Sequence, residues 1–190
     1  MPRYLIVPDA SQVWIEARSM VHPINTWSDG LEGHLDVAVD DGRIDLGIPP
    51  AGRLSLDVER LTSGNRFEDR ELHRRIDARR FPTIDGVLAG MEPTGHDGRY
   101  DVSGTVTFRG VTRTYKDAME VEVPDPSTIR LEGRSRFDIR DFGMEPPRLL
   151  FVRVEPQVDV RVEIVARLAE TGDIGDIGDI GESGESGEED

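Results

Sequence analysis

The chain has 190 residues, a formal net charge of −15, 36% hydrophobic residues and no cysteine. This length allows one domain with a sizeable core. The absence of cysteine excludes disulfides, thiolate metal sites and cysteine nucleophiles, and the negative charge argues against a nucleic-acid partner. We find no signal peptide and no apolar run of the roughly 18–20 residues that a membrane span needs. We therefore expect a cytoplasmic protein.

The first third of the chain is composed of short segments in which apolar and polar residues alternate. Gln12–Ser19 alternates in this way, as do residues 35–40 and 54–59. A period of two is typical of strands with one buried face. Residues 21–30, which include proline, asparagine and glycine, are predicted to be a connection or an irregular edge. Asp41 and Gly42 predict a turn.

One helix is predicted at about residues 66–80. Asn65 is a favourable N-cap, and Glu68 three residues later completes a capping-box pattern. Acidic residues come early in this segment and arginines come late, which complements the helix dipole. Pro82 prevents the helix from continuing.

Strands resume after the helix, and residues 99–113 show the pattern most clearly. Val102, Gly104, Val106 and Phe108 share one face, while the polar residues between them share the other. Gly110 allows a sharp turn into the next strand. Later segments repeat the alternation at regular intervals, including one in which Gly133, Ser135 and Phe137 share the inner face. About eight strands with one inserted helix predict an all-β antiparallel barrel or sandwich.

The last segment, residues 170–190, differs from the rest in composition. It is a glycine-rich repeat with nine acidic residues and no basic one, so residues 1–169 carry a net charge of only −6. Such a segment buries too little apolar surface to offset its ordering entropy. We predict a barrel domain at residues 1–169 and a disordered acidic tail at residues 170–190.

The chain resembles the YceI-like family, whose fold is a lipocalin-like β-barrel. The resemblance rests on the order and spacing of several short stretches across about residues 4–168. They are Pro8, Ser11 and Val13; Thr62 to Asn65; Arg79 to Ile84; Phe108 to Arg113; and Asp141 to Gly143.

This resemblance implies an eight-stranded antiparallel barrel that binds a long apolar ligand, such as a polyisoprenoid or a fatty-acid derivative. It also implies transport, storage or stress roles without catalysis, and pairing as a homodimer. We expect no cofactor, no metal and no catalytic residue. The residues that we predict to contact the ligand are apolar: Ile15, Leu56, Leu72, Ile76, Leu88, Val106, Phe108, Phe137 and Phe142.

Two interpretations of the barrel interior remain open at the level of sequence. Small inward residues, such as Gly104 and Gly133, leave volume that large apolar neighbours would line. Alternatively, these glycines only relieve strand curvature, and the large residues close a dry core.

The arginine-rich helix has three interpretations. In one of them, its arginines bind the acidic tail, which would act as a self-inhibitory lid. Arg70 and Arg74 would bind an anionic head group if the helix lay at the mouth of the barrel. Alternatively, the arginines are solvated and pair with acidic neighbours on the same helix.

Two further function classes remain as alternatives. A hydrolase acting on a lipophilic substrate would need a polar cluster around a histidine inside the barrel. The histidines lack metal-ligand spacing, and the serines lack a G-x-S-x-G motif. A domain with a filled core would instead act through its acidic tail.

Overall fold

The structure is a computed structural model that describes residues 1–20, 23–146, 148–149 and 152–170. The predicted tail lies outside the described residues, apart from its first residue. The described ranges contain one α-helix, α1 (Arg66–Ile76). The strands are β1 (Arg3–Ile6), β2 (Gln12–Ser19), β3 (Ile24–Ser28), β4 (Leu31–Asp36), β5 (Ala38–Asp40), β6 (Arg43–Asp45), β7 (Ala51–Asp57), β8 (Thr83–Pro93), β9 (Arg99–Phe108), β10 (Val111–Asp125), β11 (Thr128–Asp138), β12 (Arg148–Leu149) and β13 (Val152–Leu168).

Eight of these strands close into an antiparallel barrel. The order is β1, β4, β7, β8, β9, β10, β11 and β13, and β13 pairs again with β1. Closure leaves no free edge in the ring, which is how small all-β proteins avoid edge-to-edge association. The predicted eight-stranded antiparallel barrel with one inserted helix is confirmed.

One part of the barrel wall carries an extra pair of strands. Strand β13 is long enough to pair with β1 near its end and with β2 nearer its start, and β3 pairs with β2. Of the two alternatives predicted for residues 21–30, a connection or an irregular edge, the structure shows the edge for Ile24–Ser28, because β3 is the last strand of the sheet. The buried side chains Thr26 and Ser28 are polar, so the segment lacks an apolar alternation. The Ser28 hydroxyl accepts from the amide of Gly30 at 3.0 Å.

The β9–β10 hairpin confirms the predicted alternation. Its two turn residues, Arg109 and Gly110, have φ values of 49° and 74°, which is the left-handed pair that a tight hairpin requires. Tyr115 lies opposite Gly104 in the register, so the inward residues of both strands share one face. This pairing fixes which side chains of β10 point into the barrel.

Helix α1 begins as predicted and ends earlier. The Asn65 side chain accepts from the amide of Phe67, and its amide nitrogen contacts Glu68 at 3.2 Å. The predicted end at residue 80 is wrong, because Asp77 adopts the left-handed conformation with φ 59°. The amide of Ala78 then bonds to the carbonyl of His73 at 3.0 Å, which closes the helix with a Schellman-type turn.

The two ends of the barrel are closed differently. The β5–β6 hairpin follows β4. Val37, just before this hairpin, and Ile44, within β6, are buried at one end of the barrel interior. Residues 58–82, which include α1, connect β7 to β8 at the other end, where Val58, Leu61 and Ile76 are buried. The core therefore continues past the strands at both ends.

Candidate ligand-binding cavity

The barrel interior contains a cavity of about 230 Å³. It lies among inward-facing side chains of β4, β7, β8, β9, β10, β11 and β13, together with residues of the β5–β6 hairpin. The interior is therefore not completely filled. Its apolar lining includes Leu35, Val37, Ile44, Leu54, Leu88, Met91, Val102, Val106, Met119, Val121, Ile129, Leu131, Phe137, Val160, Val162 and Ile164.

Glycines in the cavity wall serve two different purposes. A Cβ atom at Gly104 would lie 2.4 Å from the carbonyl oxygen of Val87, so glycine is required there for close approach of two strands. A Cβ atom at Gly86 would meet only Leu54, at an ordinary 3.6 Å. The missing side chain at Gly86 therefore leaves usable volume. Gly104 thus permits close approach of two strands rather than leaving volume, whereas the interior as a whole is not the dry, closed core of the alternative interpretation.

Aromatic rings pack at the helix-side end of the interior. The rings of Tyr115 and Phe137 lie 4.7 Å apart in an edge-on arrangement, and those of Phe108 and Phe142 lie 5.8 Å apart. Phe142 belongs to the short 3-10 turn after β11, and its ring also stacks 6.4 Å from that of Tyr115. Edge-on and offset rings pack favourably, so this group gives the interior a rigid end.

The nine predicted ligand contacts occupy three kinds of position. Leu88, Val106 and Phe137 line the cavity. Leu56, Ile76, Phe108 and Phe142 are buried in the surrounding core without lining it, and Ile15 and Leu72 pack against that core while partly exposed. Contact of these residues with a ligand stays a prediction.

The two arginines proposed for a head group lie on the outside of α1. The Arg74 guanidinium donates to both carboxylate oxygens of Glu71, at 2.9 and 2.8 Å. This pairing raises the pKa of Arg74 and lowers the pKa of Glu71. Arg70 is exposed, and neither arginine lines the cavity. The pairing within the helix is the arrangement expected for a solvated helix face.

Polar side chains also line the cavity, and they lie on two adjacent strands. The hydroxyl of Ser135 on β11 donates to the carboxylate of Asp117 on β10 at 2.6 Å. Tyr115 lies two residues before Asp117 and lines the same cavity. The sequence pattern places Ser135 on the inward face but gives no role to Tyr115 or Asp117. Tyr115 and Asp117 lie an even number of residues before the inward residue Val121 on the same strand. This spacing is the sequence signal that could have placed them on the inward face.

The histidines lie apart from this cavity. His73 makes a 2.9 Å hydrogen bond with the carbonyl of Leu61, and His34 lies 3.7 Å from Asp36. His22 lies outside the described residues. Within the described part of the chain, no histidine lines the cavity, and no group of three or more histidine, aspartate or glutamate side chains is placed to hold a metal ion.

The family model of the YceI-like domain matches residues 4–166. The chain belongs to the YceI-like family. This membership supports a binding role in general terms. A search of curated proteins gave no match. Among the described residues, no helix has the length and apolar character that crossing a membrane would require.

Solved structures with this fold confirm the YceI-like architecture. BcnA from Burkholderia cenocepacia gives a TM-score of 0.70 at 17% identity, covering 84% of this chain and 98% of that chain. A polyisoprenoid-binding domain from Saccharophagus degradans, implicated in plant cell wall breakdown, gives 0.70 at 13% identity, with coverage of 87% and 98%. The YceI protein of Campylobacter jejuni gives 0.64 at 13% identity, with coverage of 80% and 88%.

Proposed function

We propose that this YceI-like protein binds a long-chain apolar or amphiphilic ligand, a polyisoprenoid or a fatty-acid derivative, inside its barrel without catalysing a reaction. The observation that carries the proposal is the cavity of about 230 Å³ with its almost continuous apolar lining. This volume is somewhat below the roughly 300–1,000 Å³ of most small-molecule pockets. A slender hydrocarbon chain suits such a space better than a ring system does.

Burial of a hydrocarbon chain supplies the affinity that the proposal needs. Each buried methylene contributes about 0.8 kcal/mol, so a dozen contribute on the order of 10 kcal/mol before entropic costs are subtracted. Specific polar contacts are then unnecessary for binding. They are left to determine which head group the protein accepts.

The related structures support the chemical class of the ligand. The Saccharophagus degradans domain, which shares the fold, is a polyisoprenoid-binding domain. As part of the same proposal, the protein sequesters or transports its ligand in the cytoplasm, in a stress role, as a homodimer. The nine apolar side chains predicted above and the helix arginines Arg70 and Arg74 remain proposed contacts for the ligand chain and head group.

Native mass spectrometry of the purified protein, followed by solvent extraction, tests for a ligand that is already bound. The protein is then stripped and titrated with geranylgeraniol as a defined isoprenoid probe. We expect one probe molecule per chain. Failure of the stripped protein to bind this probe would contradict the proposal.

A matched pair of variants tests whether the probe lies in the cavity. Gly86→Val places a side chain in the open volume, whereas Ala89→Val creates the same side chain on the exposed side of β8. We expect the affinity for geranylgeraniol to fall at least tenfold in Gly86→Val and to be unchanged in Ala89→Val. Far-UV circular dichroism and thermal midpoints confirm that both variants fold. Equal affinity in the two variants would place the probe elsewhere.

A further inference from the structure

A carboxylate lies in the wall of a mostly apolar cavity. Asp117 faces inward from β10, and the hydroxyl of Ser135 on β11 donates to its Oδ2 atom at 2.6 Å. An ionised carboxylate accepts about four hydrogen bonds. Among the described residues this is the only hydrogen bond at the Asp117 side chain, and none of the ion pairs there involves it. The carboxylate therefore retains unused acceptor capacity inside the barrel.

A second polar group lies in the lining of the same cavity. Tyr115 is two residues earlier on the same face of β10, about 7 Å along the strand. Its hydroxyl is buried and makes no hydrogen bond with any described residue. Burial is the main reason that the pKa of Tyr115 is raised, so the hydroxyl stays protonated at neutral pH. Packing against Phe137 fixes the ring in place.

Unsatisfied polar groups in an apolar interior are costly, and a ligand can remove that cost. A buried hydroxyl or carboxylate without partners is destabilising unless something donates to it or accepts from it. A hydroxyl or ammonium group would donate to Asp117, and a hydroxyl would also accept from Tyr115. A ligand carboxylate or phosphate would instead meet the Asp117 charge in a medium of low dielectric, where repulsion is strong.

We propose that Asp117, Ser135 and Tyr115 bind the polar end of the ligand, and that this end is a hydrogen-bond donor, a hydroxyl or a protonated amine, rather than an anion. This inference rests on the proposed function and replaces Arg70 and Arg74 as the head-group contacts, because neither arginine lines the cavity. It narrows the ligand to a long-chain alcohol or amine whose hydrocarbon chain lies along the apolar lining.

The test compares three probes that share a chain and differ in head group: dodecan-1-ol, dodecylamine and dodecanoic acid. Binding to the stripped full-length protein is measured by isothermal titration calorimetry at neutral pH, with each probe kept below its solubility limit or critical micelle concentration. We expect the alcohol, the amine or both to bind at least tenfold more tightly than the acid. Tighter binding of the amine than of the alcohol would indicate that charge pairing adds to hydrogen bonding.

Three variants assign the preference to the proposed residues. Asp117→Leu replaces the carboxylate by an apolar group of similar size, and we expect the preference over dodecanoic acid to fall at least tenfold. Tyr115→Phe removes only the hydroxyl, and we expect a smaller loss for the alcohol. Asp101→Leu, on the outward face of the neighbouring strand β9, is the matched control and is expected to keep the wild-type order of affinities. Thermal midpoints establish that each variant is folded.

The outcomes separate this inference from the proposed function. If all three probes bind with equal affinity, or if the acid binds best, the head-group inference is overturned while chain binding stands. The head-group inference is also overturned if Asp117→Leu, like the control Asp101→Leu, keeps the wild-type order of affinities for the three probes. If none of the probes binds, and geranylgeraniol also fails to bind, the proposed function itself is overturned.

Discussion

The two faces of the barrel wall differ in what their side chains contact, although the same strands build both. Inward residues of β11 and β13 line a cavity, and most of them are apolar. Outward residues of the same strands form ion pairs across the sheet. Arg161 contacts Glu132 and Glu163, and Asp159 contacts Arg136 and Arg18.

This difference shows where stability and specificity arise. Exposed ion pairs contribute about 0–1 kcal/mol each, because water competes for both partners. Buried apolar side chains contribute more, because their surface is removed from water. A polar group such as Asp117 therefore has its greatest effect on the inner face, where its partners are few. The same carboxylate on the outer face would be solvated and would select nothing.

The largest expected effect on stability comes from truncating an inward side chain. Truncation of its outward neighbour on the same strand provides the comparison. Ile129 is 1% exposed, whereas Arg130 beside it is exposed. We expect Ile129→Ala to lower the free energy of unfolding by about 2–5 kcal/mol, because it removes buried methyl groups. We expect Arg130→Ala to change it by no more than about 0.5 kcal/mol. Urea denaturation of both variants makes the measurement, and equal losses would contradict the comparison.

A smaller effect is expected from a polar contact at the end of the interior. Tyr4 is buried, and its hydroxyl donates to the carbonyl of Pro126 at 2.8 Å, which joins β1 to the β10–β11 turn. We expect Tyr4→Phe to lower the free energy of unfolding by about 1 kcal/mol, because removal of the hydroxyl leaves the carbonyl of Pro126 without its donor. Tyr100→Phe is the matched control, since the Tyr100 hydroxyl has no hydrogen bond within the described ranges. Equal losses of thermal stability in the two variants would show that the hydrogen bond to Pro126 is not the source of the cost.

The smallest effect is expected from an ion pair that depends on pH. The Arg3 guanidinium donates to both oxygens of Asp36, at 2.7 and 2.8 Å, and lowers the pKa of Asp36. A lowered folded-state pKa stabilises the protein above the unfolded value of about 3.9. This contribution to stability is lost as the pH falls through the pKa of Asp36 in the folded protein. We expect Asp36→Asn to be less stable than the wild type at neutral pH.

Urea midpoints measured from pH 7 down to pH 2 follow this loss. We expect the difference between the wild type and Asp36→Asn to shrink as the pH falls below about 4. His34 lies 3.7 Å from Asp36, so the series is repeated in a His34→Gln background to remove its titration. A difference that stays constant down to pH 2 would contradict the assigned ion pair.

The fold was predictable to the extent that its signals are local. Alternation at residues 99–113 predicted the inward face of β9, and Asn65 predicted the start of the helix. The end of the helix was not predictable, because Asp77 adopts a left-handed conformation that glycine usually adopts. Strand β3 was predicted only as one of two alternatives, a connection or an irregular edge, because its buried side chains Thr26 and Ser28 are polar.

The candidate site was predictable only in part. Of the nine apolar side chains proposed as ligand contacts, Leu88, Val106 and Phe137 line the cavity. Alternation assigns a residue to a face but does not give its depth along the barrel. Depth depends on how the strands tilt and stagger when the sheet closes, which is a property of the whole ring.

The sequence by itself determined the all-β class, the single helix insertion and the inward parity of the strands, because each depends on the periodicity of neighbouring residues. Only the tertiary structure decided which inward side chains surround empty volume. It also placed Asp117 beside Ser135, which lies 18 residues away in the chain. That contact depends on the register between β10 and β11, and register is fixed by burial of the whole inner face.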